Sequence, residues 1–140
     1  QKRDLAVDYF QTVADVLPEW CKVMRGDLKP VELRQEYIHT HAVMLWALGA
    51  MGQTLISTYP DDWKQRLQTL RSIDWRRTNK EWQGVAMSGN DVINRRQSRT
   101  DTSSFLKLKL GLKLTPAEER SLKGATDTPS IMADLKSLIA

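Results

Sequence analysis

The chain has 140 residues with a net charge of +4, 41% hydrophobic and 27% charged residues, and a single cysteine. This is enough for one domain with its own core, and it excludes wholesale disorder, an internal disulfide and a cysteine-rich zinc site. The longest nearly apolar run, 42–52, is far short of the roughly 20 residues a membrane helix needs, and the amphipathic start QKRDLAVDYF is no secretory signal. Together with the lone thiol this leads to a cytoplasmic expectation. The chain opens on Gln1 inside a helical pattern, so it is expected to be a fragment of a longer protein.

In chain order the pattern is helical nearly throughout. From Lys2 to Met24, Leu5, Ala6, Tyr9, Phe10, Val13, Leu17 and Trp20 recur at the spacing of one buried helix face, and Pro18 should kink or divide it. Pro30 suits the first turn of a second element. The stretch from about Thr40 to Tyr59 is the most apolar, with Val43, Met44, Ala47, Leu48, Met51, Leu55 and Ile56 expected at the centre of a bundle. Gly49 and Gly52 within it would let another helix approach closely.

A helix opening at Pro60-Asp61-Asp62 should bury Trp63, Leu67, Leu70 and Ile73, with the two acids capping its positive end. Regularity falls away between Asp74 and Asn94, where loops, short helical turns or a small hairpin are expected. A helix is expected to resume near Thr100 and stop at Gly111, although the alternation in FLKLKLGLKL keeps a strand as a rival. Thr115-Pro116-Ala117-Glu118 is a capping box that starts another helix. A last helix after Pro129 should turn Ile131, Leu135 and Leu138 inward. The expected fold is therefore mostly α, a single compact multi-helix bundle over 1–140 with an irregular, loop-rich segment around 74–99.

Charge is unevenly spread. Residues 1–60 carry six Lys+Arg against seven Asp+Glu, residues 61–123 fourteen against eight, and 124–140 one against two. The excess gathers around Ile73–Arg99 and beyond, in Arg76, Arg77, Lys80, Arg95, Arg96, Arg99, Lys107, Lys109 and Lys113. A local basic patch is the footprint of a surface that meets phosphates, and double-stranded DNA is the expected partner. Asn79, Gln83, Asn90, Asn94 and Gln97 add amides that could contact backbone or bases. The competing reading is a solvated surface whose cations pair with Asp74, Glu81, Asp91 and Asp101. Trp75 and Trp82 could stack on bases or pack in the core.

Other constellations are weaker. His39 and His41, two apart in a helical pattern, point about 200° apart and cannot share a metal, so no metal is expected. One should pack in the bundle and the other meet solvent. Cys21, beside Lys22, is a redox candidate by virtue of that cation, against the plainer reading of a packed thiol. No glycine-rich phosphate loop is present, and neither a cofactor nor an enzymatic activity is expected.

Four segments, YFQTVADVLPEW (9–20), LKPVELRQEYIHTHAVMLWALGAMG (28–52), YPDDWKQRLQTLRSIDWRRTNKEWQGVAM (59–87) and LKLGLKLTPAEE (108–119), together resemble the C-terminal part of the DndB family of DNA sulfur modification proteins, a DGQHR-domain group. The order of the segments and the I-D-W…N-x-x-W pattern carry the match. The resemblance implies a bacterial DNA phosphorothioation system, and within it a DNA-binding repressor of the modification operon. It also implies other DNA sulfur modification proteins as partners. The motif that names the DGQHR group is absent from these residues, so no catalytic residue is carried over. A second reading is a protein-interaction or dimerisation module, motivated by the apolar 42–56 helix and five tryptophans.

Overall fold

A computed structural model describes the backbone of residues 2–126 and 128–139, and the side chains within them except at positions 2, 3, 24, 138 and 139. The chain forms α1 (Lys2–Val16), α2 (Pro18–Met24), α3 (Pro30–Glu36), α4 (Ala42–Thr58), α5 (Trp63–Arg66), α6 (Arg96–Lys109), α7 (Pro116–Ala125) and α8 (Pro129–Ile139). Between α5 and α6 lie 3-10 helices at Leu67–Ser72 and Lys80–Trp82, and a two-stranded antiparallel hairpin, β1 (Met87–Ser88) with β2 (Asp91–Val92). The expected mostly α fold is what forms. No helix among the described residues is long and apolar enough to cross a membrane.

The bundle is organised around α4 and α6, which pack against each other. Helix α4 buries Val43, Met44, Ala47, Leu48, Met51 and Leu55, with Ile56 half-buried. Gly52 makes the expected close approach: a Cβ there would run into the Tyr9 ring, whose hydroxyl donates to the Leu48 carbonyl at 2.5 Å. Gly49 is looser, with Phe10 Cζ at 3.8 Å from a built Cβ. Pro18 divides the first helical pattern at Leu17, as its missing N–H requires.

Four expectations need correction. Tyr9, Val13 and Leu17 are buried, but Leu5, Ala6 and Phe10 are exposed, because that end of α1 faces the small Gly49 across an open groove of about 650 Å³. The helix after Pro60 is α for one turn only. Leu67, Leu70 and Ile73 are buried as expected, but their three-residue spacing is the 3-10 period, and that is the helix they form. Asp62 makes no side-chain cap; its Oδ2 accepts from Arg66 Nε at 3.1 Å instead.

The fourth correction concerns α6, which starts at Arg96 rather than near Thr100. The Ser98 hydroxyl accepts from the Arg95 backbone N–H at 2.7 Å, closing the first turn. Its buried surface includes Ser98, Asp101, Thr102, Ser103 and Ser104 beside Phe105, Leu106 and Leu108. The buried hydroxyls of this polar face are satisfied along the helix itself, Thr102 Oγ1 donating to Ser98 O at 2.6 Å and Ser104 Oγ to Thr100 O at 3.1 Å. Gly111, at φ +74°, stops the helix as expected.

Beyond α6, the capping box at Thr115 forms, with Thr115 Oγ1 accepting from Glu118 N at 3.1 Å and Glu118 Oε1 from Thr115 N at 2.9 Å. In α8, Ile131 and Leu135 are buried; the Leu138 side chain lies outside the described ones.

Candidate nucleic-acid interface

The irregular segment is fixed by its tryptophans. Trp75 Nε1 donates to Leu70 O at 2.9 Å and Trp82 Nε1 to Asp74 O at 3.1 Å. Their rings stack with centroids 5.8 Å apart, and Trp82 lies 4.5 Å from the Phe105 ring of α6. Both are buried, so the core use holds and neither presents a face to a base. Gln83 clamps the hairpin tip from both sides, donating to Gly89 O and accepting from Gly89 N, each at 2.9 Å.

On this frame the nine cations divide. Arg76 spends its guanidinium on Asp74, at 2.9 and 3.0 Å, and holds that carboxyl below its ordinary range. Arg77 donates to the carbonyls of Asn90 at 2.6 Å and of Arg34 and Gln35 at 3.4 Å, bracing the hairpin against the end of α3. Lys107 pairs with Glu118 at 2.8 Å, with only 13% of its side chain exposed. Lys109 sits between Glu81 at 3.0 Å and Asp134 at 3.2 Å. Burial alone would lower Lys109, but its bonds to the two acids outweigh that and raise it; Glu81 and Glu118 are held down in the same way against their own burial.

Lys80, Arg95, Arg96, Arg99 and Lys113 have no acid within ion-pair distance among the described residues. Three of them meet at the start of α6: Arg95 at the cap and Arg96 in the first turn, both exposed, and Arg99 one turn on. Arg99 Nε donates to Asn94 Oδ1 at 2.8 Å, which holds the side chain near that end. Lys107 and Lys109 lie at the opposite end of the helix, about 16 and about 20 Å from Arg96 along the axis at roughly 1.5 Å per residue. The basic set therefore does not converge into one cradle. It splits into an acid-free group at the α6 N-terminus, a group that ties the bundle together, and Lys80 and Lys113, acid-free but outside α6.

Of the remaining candidates, His39 is the histidine that packs in the bundle, as expected, but the helical setting of the pair is not what forms. His39 and His41 are not helical; they lie in the connection between α3 and α4. His39 is fully buried against Trp20, Tyr37 and Trp75, its Nε2 3.2 Å from Glu19 Oε1. Burial lowers its pKa, with Glu19 opposing. His41 Nε2 bonds to the Arg34 carbonyl at 3.0 Å. Among the described residues no group of His, Cys, Asp and Glu is arranged to hold a metal ion. Cys21 is half-buried and its thiol donates to the Ala14 carbonyl at 3.2 Å.

Sequence reasoning missed one feature next to the arginines. Gly84, Ile93, Arg95, Gln97, Ser98, Asp101, Ser121, Gly124 and Ala125 line an open cleft of about 310 Å³ where the α6 N-terminus meets the α7 C-terminus. Asp101, one of the acids expected to neutralise the basic set, pairs with no Lys, Arg or His nitrogen among the described residues. The only sequence signal was the i, i+4 pair Gln97 and Asp101; Ser121 is 20 residues further on.

Residues 1–113 match the family described as DndB: DNA-sulfur modification-associated. Comparison with curated proteins and with solved structures gave no significant match. The family match spans α1 to α6 and the irregular segment, including every cation described above, and on it the chain belongs to the DndB family of DNA-sulfur-modification-associated proteins.

Proposed function

We propose that this chain is a DNA-binding module of a transcriptional repressor associated with bacterial DNA phosphorothioation, acting in the cytoplasm on double-stranded DNA through Arg95, Arg96 and Arg99. One observation carries the reading. These cations stand at the positive end of the α6 dipole, with no acid in the first turn to offset them. Each such placement costs a helix about 0.3–1 kcal/mol, and a phosphate supplies the missing anion. Lys80 and Lys113 add acid-free charge elsewhere on the surface. Arg76, Arg77, Lys107 and Lys109 serve the fold in this reading.

Phosphate contacts position the duplex without reading it, and log K should fall by about 0.9 per neutralised phosphate as log salt rises. The test is fluorescence anisotropy of a labelled duplex against salt for the chain and for Arg95→Ala plus Arg96→Ala. Loss of about 1.8 from the slope supports the site; an unchanged slope and affinity rejects it.

A second reading, a docking module for another copy or for other sulfur modification proteins, is favoured by apolar side chains left in the open. Val7 is 66% exposed and Trp46 48%. Sizing the chain beside the DNA measurement separates the readings: dimerisation without DNA retention favours docking.

A further inference from the structure

The cleft beside the arginines has an unusual balance of hydrogen-bonding groups. Asp101 is only 2% exposed, and its Oδ1 accepts from Ser121 Oγ at 2.6 Å and from Gln97 Nε2 at 3.2 Å. Gln97 Nε2 also donates to Ser121 Oγ. Both partners of Nε2 must accept, since the carboxylate has no proton to give and the serine proton is already on Asp101. That fixes which end of the Gln97 amide is which.

The side-chain donors of the trio are then used up: one hydroxyl proton and two amide protons, all spent inside it. What remains of the trio is two acceptors, Asp101 Oδ2 and Gln97 Oε1, neither of which takes a hydrogen bond from a described residue. With Oδ1 occupied by Ser121 and Gln97, Asp101 Oδ2 is open to a ligand's donor. Arg95 lines the same cleft but forms no ion pair with Asp101. The ligand that satisfies both sides carries neighbouring N–H donors at one end and an anion at the other. The volume of about 310 Å³ falls at the small end of ligand sites.

We propose that this cleft takes a donor-bearing nucleobase, guanine foremost, with its phosphate on Arg95. Guanine presents a ring N–H beside an exocyclic amine, two adjacent donors for two acceptors. Thymine offers one N–H flanked by carbonyls that would face Asp101 and Gln97 and be repelled. Because the carboxylate is only 2% exposed, a base paired in a groove does not reach it. The base is one out of the stack, in a single strand or extruded from a duplex. This rests on the DNA-binding reading and names what the site selects.

Gly124 provides a clean test. It lines the cleft, and a built Cβ there meets nothing within 4 Å. Gly124→Leu should fill the cleft and, by raising helix propensity, leave α7 intact. The probes are dGMP, dCMP, dAMP and dTMP, titrated into the chain and followed by backbone amide chemical shifts. Expected is binding of dGMP about tenfold tighter than dTMP, with shifts at residues 95–101 and 121–125, abolished by Gly124→Leu. Asp101→Asn, which puts a donor where the acceptor was, should erase the preference for dGMP; circular dichroism checks that each variant folds.

Equal binding of all four nucleotides, or dGMP binding that survives Gly124→Leu, would overturn the proposal. So would no nucleotide binding alongside a normal salt-dependent duplex affinity, and that result would leave the arginine site standing. Conversely, dGMP binding to a chain whose duplex affinity ignores Arg95 and Arg96 would support the cleft and reject the duplex reading.

Discussion

Lys109 Nζ lies 3.0 Å from Glu81 Oε2, joining the far end of α6 to the 3-10 turn at Lys80–Trp82 across 28 residues of sequence. Ser130 Oγ donates to the same oxygen at 2.7 Å and Asp134 Oδ2 reaches Lys109 at 3.2 Å, so α8 is tied in as well. One ammonium thus holds three elements.

Removing that ammonium leaves two carboxylates facing each other at a partly buried site. Lys109→Met should destabilise the chain by about 1–2 kcal/mol, below the cost for a fully buried pair because solvent still reaches the site. The double variant with Glu81→Gln should recover part of the loss. Urea denaturation of the two variants measures both; a double variant no better than the single would contradict the clamp.

Acid should unfold the protein in two stages. His39 is buried neutral, with its folded pKa below the ordinary value of 6.5. The unfolded chain therefore binds a proton first as pH falls, and stability declines below about pH 6.5. Asp74, Glu81 and Glu118, each lowered in the fold, contribute stability above their ordinary values that is lost as pH falls through their folded ones, below about pH 4. Thermal melts from pH 8 to 3 should show the first decline in the native chain and lose it in His39→Gln, measured relative to that variant's own value at pH 8.

The two glycines of α4 should behave oppositely. Gly52→Ala puts a Cβ into the Tyr9 ring and should cost about 1–3 kcal/mol by overpacking. Gly49→Ala meets only an ordinary contact at 3.8 Å and should gain up to about 1 kcal/mol from helix propensity. Paired melting temperatures check the contrast; equal effects would contradict the packing.

Periodicity and punctuation made much of the fold legible. The α4 face, the break at Pro18, the Thr115 box and the Gly111 stop are local signals, and each is decided within one or two turns of chain. Helix α6 was misplaced because its start breaks local rules: arginines occupy a turn that favours acids, and the buried face is Ser, Thr and Asp rather than an apolar stripe. The spacing of Leu67, Leu70 and Ile73 fits a 3-10 turn as well as an α-helix, so the apolar stripe does not tell the two apart.

For the site, the basic run was plain but its division was not. Arg76 and Asp74 are two residues apart, whereas Glu118 and Asp134 reach Lys107 and Lys109 from 11 and 25 residues away. Only the packing of α7 and α8 on α6 shows which cations are already neutralised. The pair of open acceptors on Asp101 and Gln97 likewise depends on Ser121 meeting Asp101 across two helices.

The account stands most directly on the slope of log K against log salt for duplex binding. It predicts a slope near −2.7 for the native chain, from three arginines at about 0.9 each, and near −0.9 after Arg95→Ala plus Arg96→Ala, with Lys107→Ala leaving it unchanged. A slope that Arg95 and Arg96 do not move, or one that drops on loss of Lys107, would contradict it.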